Sequence, residues 1–163
     1  MRMLLALSAS VAIAACATSS ATPNASTGAS VTPPPPGTVS ASTPAGASWR
    51  ASLQSMNGTS ISGSATVTPA PGGSTANINI RDAVAGAVHP WHVHVGTCST
   101  GGGIAGPASA YSPLNVTSGG NANSSAQLPM TLDPTQSYHV NVHNSPSDMG
   151  TIVACGDLHP AKG

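Results

Sequence analysis

From residue 49 onward the chain is a succession of short runs in which apolar and polar positions alternate, separated by Gly, Pro, Asn and Ser. The clearest run sets Ala76, Ile78 and Ile80 against Thr75, Asn77 and Asn79, the period-two pattern of a half-buried strand. Strands are predicted over 49–54, 60–68, 74–80, 91–95, 124–130, 137–144 and 151–155. Pro69-Ala70-Pro71-Gly72-Gly73 reads as a hairpin connection and Gly119-Gly120-Asn121 as a further turn. No stretch past the first fifteen residues carries a useful helical period. Seven or so short strands at this spacing indicate an antiparallel β-sandwich or Greek-key barrel.

Two strands carry an unusual second face. In the first, Trp91, Val93 and Val95 alternate with His92 and His94. In the second, Tyr138, Val140 and Val142 alternate with His139, Asn141 and His143. Side chains two apart on a strand lie roughly 6.5–7 Å from one another, so one ion can reach both His92 and His94. A third imidazole from a neighbouring strand makes a three-nitrogen site that suits copper or zinc. His139 shares a face with His143 but lies about 13 Å further along the strand, and is expected to be exposed. His159 sits in a Pro-containing tail and is given no role. Met130 and Met149 are expected to pack in the core.

These segments resemble the Cu/Zn superoxide dismutases. The likeness rests on His89, His92-Val93-His94 and Cys98, then on Val142-His143, Asp148, Gly150 and Ala154-Cys155-Gly156, and it runs loosely from residue 49 to 158. It implies a dismutase-type Greek-key barrel with His92, His94 and His143 as copper ligands. It also implies that His89 and Asp148 orient the ligating groups without binding the ion, and that Cys98 and Cys155 form an intradomain disulfide. The departures are as specific. Residues 99–114 contain no His, Asp or Glu, so the family's zinc ligands and bridging histidine have no counterpart. The loop before Cys155 is cut to 151–154 and lacks the family's arginine, and Ser147 stands where an aspartate is expected. The resemblance therefore implies one copper per chain and no zinc.

The N-terminal end reads as a targeting signal. Arg2 precedes an apolar run of about a dozen residues, too short to span a bilayer, and Ile13-Ala14-Ala15-Cys16 resembles the bacterial lipobox. The expected organisation is a signal over 1–15, a lipidated Cys16 heading a Ser/Thr/Pro-rich linker over 16–48, and the β domain over 49–163. The lipobox implies anchoring in the cell envelope of a bacterium, with Ala17 favouring the outer membrane. A linker of about 30 residues spans roughly 30 Å. The cysteine count agrees with this organisation: lipid uses Cys16 and an even pair remains for an oxidising compartment.

Charge narrows the functions. The chain has four basic and four acidic residues in 163 and a formal net charge of zero. It offers no basic patch for nucleic acid and no positive funnel for a small anion. Copper holding or buffering is therefore favoured over efficient catalysis. A copper-only superoxide dismutase and a metal-free structural or recognition domain are the alternatives. No residue is assigned a catalytic role.

Overall fold

The computed structural model describes residues 46–161, and they form an all-β domain. Nine strands follow in chain order: β1 (Trp49–Ser55), β2 (Ser62–Ala70), β3 (Gly73–Arg81), β4 (Val88–His89), β5 (Trp91–Val95), β6 (Leu114–Asn115), β7 (Ala122–Leu128), β8 (Tyr138–Ser145) and β9 (Asp148–Pro160). Seven of them make one antiparallel sheet in the order β5-β8-β9-β1-β2-β3-β7, while β4 pairs with β6. The chain lays down β1-β2-β3 as a meander, crosses to the far end for β5 and returns to place β7 beside β3. It then crosses again to insert β8 between β5 and β9. These crossings give the Greek-key connectivity, and the sheet curls into a half-barrel around its apolar side chains.

The core follows the alternation. Leu53, Val67, Ile78, Trp91, Val93, Leu114, Tyr138, Val140, Val142 and Val153 are all almost completely buried. With no Phe in the chain, the aromatic packing falls to two edge-to-face pairs. Trp49 meets Tyr138 at 5.6 Å and Trp91 meets Tyr111 at 5.1 Å, a favoured geometry for such rings. The polar tips are satisfied, Trp91 Nε1 donating to the Ser112 carbonyl and the Tyr111 hydroxyl to that of Ala105.

The β2–β3 hairpin closes over Pro71-Gly72 with Ala70 opposite Gly73, as the sequence predicts. Gly72 takes φ of 79°, a left-handed conformation that glycine adopts without penalty. The last strand departs from expectation. It runs on through His159 and Pro160 because Arg50 pairs with His159 and Trp49 with Pro160. His159 is thus an exposed strand residue and not part of a tail. Gly156 lies where β9 crosses β1, so close that a β-carbon would strike the Ser52 carbonyl.

Cys98 and Cys155 form a disulfide across 57 residues of chain. It ties the segment after β5 to β9, and the Cys98 N–H reinforces the tie by donating to Asp157 Oδ1 at 2.7 Å. Closing a loop of this length restricts the unfolded chain by about 4 kcal/mol, a large share of the stability of a small domain. Replacing both cysteines with alanine should therefore cost about 3–4 kcal/mol in denaturant unfolding. An unchanged midpoint would show that the bridge adds nothing.

Candidate metal centre

Strand pairing brings the histidines together. On β5, His92 stands opposite Asn141 and His94 opposite His139. His143, two residues beyond Asn141 on the same face, reaches diagonally toward His92. One nitrogen from each of His92, His94 and His143 lies within 4.8 Å of the others. The closest approach is His92 Nδ1 to His143 Nε2, at 3.1 Å. Imidazole nitrogens bind zinc at about 2.0–2.1 Å, so two ligands on one ion stand roughly 3–4 Å apart. The widest spacing in the cluster therefore needs to close by no more than about 1–2 Å to hold a metal.

Backbone carbonyls fix how two of these rings are presented. His143 Nδ1 donates to the Met149 carbonyl at 2.7 Å, and His94 Nδ1 donates to the Gly102 carbonyl at 3.0 Å. A carbonyl can only accept, so in each neutral ring the proton sits on Nδ1 and Nε2 carries the lone pair. Such orientation through the opposite ring nitrogen is what metal-ligating histidines show. His94 Nε2 is buried and has no hydrogen-bond partner among the described residues. A buried acceptor left unpaired costs about 1–3 kcal/mol, and a metal ion would satisfy it.

Each carbonyl has its own structural cause. The pairing of β8 with β9 slips twice, between Val142 and His143 and again before Ser145. This irregularity delivers Met149 O to the His143 ring. Asp148 makes no contact with the imidazoles. Its carboxylate accepts from Asn144 Nδ2 and the Thr151 N–H, clasping the turn that carries Met149. The side chain of Met149 is 39 % exposed, so the expectation that it packs in the core is wrong; its main chain is what serves the site. Met130 is partly buried against the core.

Gly102 is held over β5 by a strand-like segment, with Val95 N–H donating to Gly103 O and Ala105 N–H to Val93 O. A β-carbon at Gly102 would collide with the Val95 carbonyl. This segment, which follows the disulfide at Cys98, extends the sheet along the edge of β5. His92, His94 and His143 are only 6, 8 and 6 % exposed. His92 also rests edge-on against Tyr111, centroids 5.1 Å apart.

His89, on β4, donates from Nδ1 to the backbone carbonyl of His143 at 3.0 Å. It therefore grips the strand that carries one ring and touches no ring itself. His139 overturns the expectation of exposure. Only 1 % of it is exposed, and neither ring nitrogen has a hydrogen-bond partner among the described residues. Alternation places it on the histidine face correctly. Its burial is set by tertiary packing, which includes the His94 ring stacked on it and which the local pattern does not encode. Cys16, the signal and the linker lie outside the described residues.

Burial makes three of the histidine rings reluctant to take a proton. The His92 pKa is pushed down to about 4, by desolvation first and then by the proximity of His143 and His94. Burial likewise lowers His143, against the pull of the Met149 carbonyl, and His139, against the charge of the Asp157 carboxylate. Neutral imidazoles are the form a metal requires.

No family model matches the chain, and no curated protein matches it either.

A pH dependence follows from His92. Between its ordinary 6.5 and its folded value of about 4, the unfolded chain binds a proton that the folded chain refuses. Stability of the metal-free domain should therefore fall as pH drops from about 6.5 toward 4 and level off below that. Thermal unfolding in the presence of a chelator measures this, and His92→Gln should make the fall shallower, His143 and His139 supplying what remains.

Proposed function

We propose that this chain holds one copper ion in a superoxide dismutase-like β domain, carried on a lipid anchor at Cys16 in a bacterial cell envelope. Holding or buffering of the ion is its task, in preference to rapid turnover of superoxide. The observation that carries the reading is the convergence of His92, His94 and His143, with two of the rings turned by carbonyls so that their unprotonated Nε2 atoms face the cluster. Three imidazoles serve copper and zinc alike. The likeness of His89, His92-Val93-His94, Cys98, Val142-His143 and Ala154-Cys155-Gly156 to the dismutase pattern favours copper. Bound copper would supply one-electron chemistry between Cu(II) and Cu(I).

Two features support holding over turnover. The three rings are nearly closed off from solvent, which restricts the approach of a substrate to the ion. The arginines of the domain stand elsewhere, Arg50 on β1 and Arg81 at the end of β3, 3.6 Å from Asp82. Fast capture of a small anion relies on a positive field at the mouth of the site, and neither residue supplies one.

The untagged protein, purified from the envelope of its host, should carry close to one copper per chain by elemental analysis. His92→Ala and His143→Ala should each abolish stoichiometric copper while circular dichroism stays that of the folded domain. A protein that takes up no copper when reconstituted rules the reading out. Superoxide decay at a rate typical of efficient dismutases would replace holding with catalysis.

The anchor is tested separately. Cys16→Ser should release the protein from the membrane fraction or leave its signal unprocessed. A variant that is processed and fractionates as before would remove the lipid anchor from the reading.

A further inference from the structure

We propose that His139 is a positioning residue of the same centre, its ring backing His94 and favouring the more highly charged oxidation state of the bound metal. This inference rests on the copper reading above. Strand pairing sets His139 directly opposite His94. The two rings are stacked, 5.2 Å between centroids with 22° between planes. The edge of His94 is already committed, Nδ1 to the Gly102 carbonyl and Nε2 toward the cluster. What remains of the His94 ring on that side is its flat face, and His139 stacks against it.

The chemistry explains why an imidazole suits this position. An aliphatic side chain would fill the space without burying two nitrogens that have no partner among the described residues. An imidazole adds a π face. A metal on His94 Nε2 draws electron density from that ring and leaves it partly cationic. A neutral aromatic face within about 6 Å of positive charge attracts it, the more so where water is excluded. Cu(II) places more charge on His94 than Cu(I) does. His139 therefore stabilises the Cu(II) state selectively, and it holds the His94 ring plane at the angle that the carbonyl of Gly102 leaves free.

The test compares His139→Leu with His139→Phe in the full-length protein, using Cu(II) and Cu(I) in separate chelator competitions and electron paramagnetic resonance of the Cu(II) form. His139→Leu should weaken Cu(II) binding about three- to tenfold. Cu(I) binding should change less than twofold, and the Cu(II) spectrum should shift. His139→Phe keeps a π face and should restore most of the Cu(II) affinity. Equal losses for both variants in both oxidation states would reduce His139 to packing and overturn the inference, as would no change at all. If His139→Leu does not fold, His139→Met against His139→Phe makes the same comparison. Wild-type protein that binds no copper defeats the copper reading together with this inference. Wild-type protein that binds copper while every His139 variant matches it defeats this inference alone.

Discussion

The arrangement of the candidate metal centre depends on one constraint: β5 and β8 are largely buried on both faces. A strand in a half-barrel ordinarily packs one face inward and leaves the other to water. Here five imidazoles on these strands and on β4 are buried, and the edge of β5 is extended by the segment that follows it, which pairs through Val93 and Val95 and is fastened to β9 by the Cys98–Cys155 bridge. That segment supplies the Gly102 carbonyl to His94.

The same constraint bears on stability. The core has few large aromatic groups, and the only ion pair among the described residues is the partly exposed Arg81–Asp82 contact, of a kind that contributes little. Covalent closure by the disulfide therefore weighs heavily. So does the two-sided burial, although that burial carries a liability in the orphaned nitrogens of His89, His94 and His139. Buried polar atoms without partners cost stability that hydrocarbon in their place would not. A metal ion on His94 Nε2 would convert one of those costs into a bond.

Much of this was legible in the sequence, and the reason is periodicity. Alternation in 75–80 located β3, and the register of His92 and His94 against Trp91 and Val93 put the imidazoles on one face. What local pattern could not carry was depth. His139 lies on the predicted face, but its burial is decided by tertiary packing that a two-residue period does not report. The length of β9 was equally hidden, because Asp157, His159 and Pro160 have poor strand propensity and are held extended by pairing with β1. Met149 was misread for a different reason. Sequence reasoning weighs side chains, and the contribution of this residue is a carbonyl aimed by a bulge.

The carbonyl locks also bear on how the site would act. A centre that cycles rapidly between oxidation states gains from ligands that can adjust to each. The Met149 and Gly102 carbonyls restrict that adjustment, since turning either ring breaks a hydrogen bond in a place where water cannot replace it. The near contact of His92 Nδ1 with His143 Nε2 adds a second bias. In the metal-free protein the proton that His92 carries on Nδ1 fills the 3.1 Å gap, so an entering ion must displace it and the burial of the rings slows its replacement from solvent. Rigid presentation with restricted proton access raises the barrier to exchange in both directions. That combination suits a site whose task is to retain an ion.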